Sequence, residues 1–410
     1  MGMTMHMATL MNRSKSKGGK SAGTANLILA FGLVAAIASI GYHWIATQHE
    51  FDMQDRAAPT VFADPRAKGN DAVAIVAAQM HELTWRPLSQ NALNRLLVAA
   101  RLSGQRALED RVATVMRSFA WRTAPGQLNL INIAIERQRF DDIFPHADAL
   151  ARREKAVEEM LAIFALFEQI PEQRQFLVNA LKQSPPWRQA FLASAERLKT
   201  PSEVQARYST ITGLLETGQV QRDELSSLLG RMVATGSAAQ AHALWTKTQI
   251  PVVTPDRLFD PGFKQAMALQ RSATPVRFPF EWQLDTGGNA GTQLIEREGR
   301  NELQLYWNGQ GIPIFAKQTF EARPGFYRAT LTGVNASSPA RRTLAIELLC
   351  AGEQPVRLLP VRSAGESELS YSAEAATRCS FPEIRIYARS DNNNGHFEMS
   401  LTGINLALKN

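Results

Sequence analysis

The residues in this chain that could do chemistry are spread along its final third, where side chains alternate in polarity with a period of two. Alternation sends odd and even positions to opposite faces of a strand. In ELQLYWN, Leu303, Leu305 and Trp307 face a core, while Gln304, Tyr306 and Asn308 face outward. In PEIRIYAR, Ile384 and Ile386 go in, and Arg385, Tyr387 and Arg389 go out. A ring face flanked by planar amides can stack on a sugar and bond its hydroxyls, and arginines can grip a sugar carboxylate with two parallel bonds. Both rows are therefore candidate glycan contacts, against the alternative of solvated strand faces or a contact with a neighbouring domain.

Other chemistries find less support. The seven histidines have no metal-ligand spacing: His49-Glu50 and His81-Glu82 lack the second histidine of a zinc helix, so no metal is expected. There is no GxSxG elbow, and Lys17-Gly-Gly-Lys-Ser21 lacks the first glycine of a phosphate loop, where Ser14 stands. DNNNG at residues 391–395 reads as a hairpin turn, because a calcium loop would place its glycine one residue later. A glycoside hydrolase needs two carboxylates about 5–10 Å apart. Glu281, Glu347 and Glu398 are available, but linear spacing does not pair them. No catalytic residue and no cofactor is expected.

The elements that must hold these residues begin with a membrane segment. Residues 27–46, LILAFGLVAAIASIGYHWIA, carry no charge and are long enough as a helix to cross a hydrocarbon core of about 30 Å. Arg13, Lys15, Lys17 and Lys20 precede it without an acidic residue among them. This places a basic cytoplasmic tail at 1–26 and the bulk of the chain across the membrane. A cleavable signal peptide is the alternative, with Ala36-Ile-Ala38 as its site, although the apolar run continues beyond it. The net charge of +7 derives partly from this tail, and no nucleic-acid partner is expected.

A polar, proline-punctuated linker follows at 47–70, then helical spacing over 71–250. Leu93, Leu96, Leu97 and Ala100 form one stripe, Leu108, Val112, Val115, Met116 and Phe119 a second, and Leu128, Ile131 and Ile135 begin a third. RLSGQ supplies a turn between the first two, and Pro125-Gly126 closes the pair. Aligning Ala100-Arg-Leu-Ser-Gly-Gln-Arg with Ala134-Ile-Glu-Arg-Gln-Arg-Phe gives an offset of 34 residues, a helix-turn-helix period, and Leu228 to Trp245 repeats the layout. Residues 72–250 thus resemble tetratricopeptide repeats, which implies an α-solenoid with a groove for a protein partner; a bare spacer is the alternative. Trp85, Trp121, Trp187, Phe191 and Trp245 are expected to be packing anchors.

After a junction at 251–275, residues 276–410 read as strands. In FPFEWQL, Phe278, Phe280, Trp282 and Leu284 share the inward face, and Pro279, Glu281 and Gln283 the outward one. Leu344, Ile346, Leu348 and Cys350 make another inward row. Phe397, Met399 and Leu401 shift phase to Ile404, Leu406 and Leu408, with Gly403 at the slip predicting a bulge. Turns are marked at 285–289, Asn308-Gly309, Pro324-Gly325 and 391–395. About eight strands patterned this way give a two-sheet antiparallel β-sandwich. PFEWQL, ARPGFYRATL, the cysteine pair and the last strand resemble the jelly-roll domains of carbohydrate-binding modules. Cys350 and Cys379 are the two cysteines of the chain, and an oxidising compartment would let them pair; two free thiols is the alternative.

Taken together, this multidomain α + β chain resembles membrane-anchored envelope proteins of Gram-negative bacteria associated with exopolysaccharide. The resemblance implies a single pass through the inner membrane with the bulk periplasmic. It further implies a non-catalytic scaffold, with the solenoid on a protein partner and the sandwich on a polysaccharide. The alternatives are a protein-only scaffold and a glycan-active enzyme.

Overall fold

A computed structural model describes residues 69–409, apart from 120–122, 217, 219, 249–254, 273–275, 286–289, 335–339, 341–342, 362–367, 374–375 and 390–395. The basic tail, the apolar run 27–46, all but the last two residues of the linker, Trp121 and the 391–395 turn lie outside the described residues. Among those described, no helix is long and apolar enough to cross a membrane. The chain divides into two compact units, 1–176 and 177–410.

Within the first unit, helices α1 (Gly69–Trp85), α2 (Gln90–Leu102), α3 (Arg106–Phe119), α4 (Ala124–Glu136), α5 (Phe140–Arg152) and α6 (Val157–Gln169) follow one another. Leu93, Leu96, Leu97, Val112, Met116, Leu130 and Ile133 form a common core. Apart from α1 these helices are short enough to be marginal alone, so burial of these stripes is what stabilises them. The 34-residue period is visible in the caps. Gly104 and Gln138 both take left-handed φ, of 72° and 56°. Gln105 N donates to Ala100 O, and Arg139 N to Ala134 O, each at 2.8 Å. Both are helix-ending turns of the kind that glycine favours.

Three details differ from the sequence expectation. Pro125 opens α4 rather than closing α3, because its missing N–H falls among groups that have no intrahelical acceptor at a helix start. The buried stripe of α4 holds Leu130, Ile133 and Ala134 together with the expected Ile131, while Leu128 and Ile135 are only half-buried, and Val115 is exposed. Trp85 is 78% exposed and anchors nothing in the described fold, whereas Trp187, Phe191 and Trp245 are buried as expected.

Helix α7 (Pro171–Leu181) leads into the second unit, where α8 (Arg188–Ala193), α9 (Pro201–Leu215), α10 (Arg222–Ala234), α11 (Ala238–Thr246) and α12 (Lys264–Gln270) precede the strands. Thr200 and Glu203 cap α9 reciprocally. Ten strands follow: β1 (Gln283–Leu284), β2 (Ala290–Arg297), β3 (Arg300–Trp307), β4 (Ile314–Thr319), β5 (Tyr327–Val334), β6 (Leu344–Leu349), β7 (Val356–Val361), β8 (Glu368–Ala373), β9 (Glu383–Ala388) and β10 (Phe397–Leu408).

These strands form one continuous antiparallel sheet in the order β1-β4-β9-β6-β7-β8-β5-β10-β3-β2. The sheet folds over on itself into a sandwich-like, nearly closed shell. Phe315 on β4 meets Phe397 on β10 with ring centroids 5.8 Å apart, and Phe320 meets Tyr327 of β5 at 5.9 Å. Main-chain bonds from Asp285 N to Phe315 O and from Thr292 N to Asp285 O draw the two ends of the sheet together. This closure limits the exposed edge at which other chains could pair.

The inward rows match the alternation: Leu303, Leu305, Trp307, Leu344, Ile346, Leu348, Ile384 and Ile386 are all buried. The register of β10 against β5 slips between Leu401 and Gly403, as the phase change predicted. FPFEWQL departs from expectation, since Gln283 and Leu284 alone are strand. Pro279 and Glu281 are buried along with Phe278, Phe280 and Trp282, so residues 278–282 have no solvent face. Phe280 packs on Trp245 and His242 of α11, whereas Trp282 joins the sheet core. The stretch is wedged between helices and sheet, and a two-sided environment defeats an alternation argument.

Around that wedge, the His242 ring sits 5.3 Å from Trp245, 5.1 Å from Phe280 and 5.5 Å from Phe381. Burial depresses its pKa, opposed in part by Glu321. The folded state therefore binds a proton less readily than the unfolded chain. The neutral ring's contribution is complete above about pH 6.5 and is lost as pH falls below it. His242→Phe should flatten the decline in unfolding free energy between about pH 7 and 5, measured by denaturant titration at each pH. An unchanged slope would remove His242 from the acid response.

Candidate functional site

Strand β3 lies between β2 and β10, and register assembles its outer face row by row. Tyr306 is opposite Gly291 on one side and Glu398 on the other. Gln304 is opposite Gln293 and Ser400, and Glu302 is opposite Ile295. The glycine shapes this face. A Cβ at Gly291 would lie 2.5 Å from Tyr306 Oη and 2.8 Å from Cζ, so the tyrosine ring rests over bare backbone of β2. The ring stays 42% exposed. Asn308 follows the strand, exposed, its Oδ1 accepting from Gln310 N at 3.1 Å.

The second predicted row has a different environment. Lys317 Nζ is 3.4 Å from Glu383, Arg385 Nε donates to Glu383 at 2.6 Å, and Arg385 Nη1 is 3.6 Å from Glu347. Arg357 stands opposite Glu347. Arg385 is thus held between two carboxylates in a charged ladder across β4, β9 and β6. Tyr387 is 7% exposed, against the outward exposure expected of it. Burial pushes its hydroxyl pKa up, with Glu347 adding to the effect, while Arg357 hydrogen-bonds it and opposes the shift. Arg389 is exposed past the end of β9, its N–H donating to Thr343 O at 2.8 Å.

The two rows do not meet. β9 is third and β3 ninth in the sheet order, in halves that face each other through the core. Their outer surfaces therefore point away from one another, and Tyr306 and Tyr387 do not share a concave face. Of the six predicted residues, Gln304, Tyr306 and Asn308 stay together. Arg385 and Arg389 lie apart from them, with Arg385 held in ion pairs, and Tyr387 is buried.

Sequence reasoning did not single out Gly291 or Gln293 as part of the β3 face. A glycine inside AGTQLIER was a legible sign of close approach, but the identity of the approaching side chain required register. Cys350 and Cys379 form a disulfide, with Cα atoms 5.9 Å apart. No group of three or more His, Cys, Asp or Glu residues suited to a metal occurs among the described residues. No protein-family model matches the chain, and no curated protein matches its sequence.

Proposed function

We propose that this protein is a non-catalytic, membrane-anchored binding scaffold, with the apolar run at 27–46 as its inner-membrane anchor and the described domains in the periplasm. In this reading the sandwich, of jelly-roll type and similar to carbohydrate-binding modules, contacts an envelope or exported polysaccharide. The solenoid holds a protein partner. The observation that carries the sugar half is the Tyr306 ring laid over Gly291 and still open to solvent, beside the amides of Gln304 and Gln293. A pyranose offers a C–H face to such a ring and hydroxyls to such amides.

Affinity electrophoresis of the full-length chain tests this reading. Migration should be retarded by at least one polysaccharide, and Tyr306→Ala should weaken that retardation about tenfold or more while leaving thermal unfolding within a few degrees of the parent. Retention that survives Tyr306→Ala would move the site elsewhere.

The protein-only scaffold is favoured by a separate observation on α1. Its exposed side carries Val73, Ala74, Ala77, Ala78, Met80, His81, Thr84 and Trp85, with Asp71 in the first turn the one charged residue beside them. Solvated helix faces are ordinarily charged. Loss of a captured partner on Met80→Ser/Trp85→Ser, with no polysaccharide retained by the parent, would select that reading instead.

A further inference from the structure

Resting on the polysaccharide reading, we infer that the β3 face takes uncharged sugar units and turns away anionic ones, the reverse of what the arginine row implied from sequence. Glu398 stands directly across from Tyr306, so a sugar stacked on the ring has a carboxylate beside it. Two positions along from Gln304, Glu302 is 4% exposed, with one carboxylate oxygen sealed from solvent and without a hydrogen-bond partner. Among the described residues, neither Glu302 nor Glu398 forms an ion pair. The basic residues on this face, Arg297 and Arg300, are opposite one another at the far hairpin end. Six residues at about 3.3 Å each put Arg300 roughly 20 Å from Tyr306 along the strand. That is about two and a half Debye lengths at physiological salt, so its charge is largely screened at the ring.

A carboxylate can accept hydrogen bonds from two hydroxyls of a neutral sugar, and Gln293, Gln304 and Ser400 supply both donors and acceptors. The same carboxylate repels a uronate held at the same distance. The arginine row on β9 has Arg385 engaged by Glu383 and Glu347, so it offers an acidic polymer less than its composition suggests. The polymer that fits is a hydroxyl-rich neutral glycan, whose binding should depend little on salt.

Affinity electrophoresis of the full-length chain against three probe classes decides the matter: a panel of neutral glucans, galactans and mannans; a polyuronate; and the amine polymer chitosan. The expected result is retardation by a neutral member, little changed between 20 and 500 mM salt, with none by the polyuronate at physiological salt, where the distant arginines are screened. Tyr306→Ala and Gly291→Val should each weaken it about tenfold or more, the second because the valine displaces the ring. Glu398→Lys should confer polyuronate retardation that disappears at high salt. Stronger retention of polyuronate by the parent, retention of chitosan alone, or no gain on Glu398→Lys would overturn the inference while leaving a polysaccharide-binding protein. No retardation by any of the three would overturn the reading on which it rests.

Discussion

Glu224→Ala should lower the free energy of unfolding by roughly 3–5 kcal/mol, read from denaturant titration. Glu224 and Arg188 are both buried, joined by two parallel bonds of 2.6 and 2.7 Å. Arg188 Nη1 also donates to Leu181 O at 2.8 Å, and Glu224 accepts from Gln221 N at 2.9 Å. The cost comes chiefly from stranding the arginine charge in the interior, rather than from the strength of the pair itself. The double variant Glu224→Leu/Arg188→Met should therefore recover most of the loss. Glu136→Ala, which breaks the partly exposed Arg101–Glu136 pair in the first unit, should cost no more than about 1 kcal/mol. Equal losses at both sites would refute the burial argument.

Removing the disulfide should cost roughly 3–4 kcal/mol, the chain-entropy value for a loop closed between cysteines 29 positions apart. The bond secures the end of β6 to the segment entering β9. Around it, Gly325 and Thr377 exchange main-chain bonds of 3.1 and 2.9 Å, and Ala322 N donates to Ser380 O at 2.8 Å. The paired variant Cys350→Ala/Cys379→Ala should show the loss in denaturant titration, and reductant should bring the parent to a similar value. A change under about 1 kcal/mol would mean that these main-chain bonds fix the segment without the cross-link. The same bond bears on compartment, since disulfides persist where the surroundings are oxidising.

How much of the candidate site could be read in advance depended on how local its causes were. Leu303, Leu305 and Trp307 were placed correctly because an alternating run has one energetically acceptable orientation on a half-buried sheet. Gln304 and Tyr306 followed by parity. Tyr387 obeyed parity too, yet is buried, because its cover comes from neighbouring strands rather than from its own. Arg385 presented as a free cation in sequence and is held by carboxylates 2 and 38 positions away. Glu281 was expected to face outward and is buried, accepting from Phe278 N at 3.1 Å and paired with Arg222 of α10.

From the sequence alone came the order of helical and strand regions, the 34-residue cap repeat, the bulge at Gly403 and the inward rows of the sheet. Each is set by covalent neighbours and by burial of one face. The cysteine pairing was anticipated as one of two alternatives. Tertiary structure decided which residues form a surface together. It separated the two polar rows onto opposite halves of one folded-over sheet, laid Tyr306 on Gly291 and set Glu398 beside it. Those relations depend on strand order and register, which arise from contacts between residues up to a hundred positions apart, such as Tyr306 and Glu398. No local pattern encodes them.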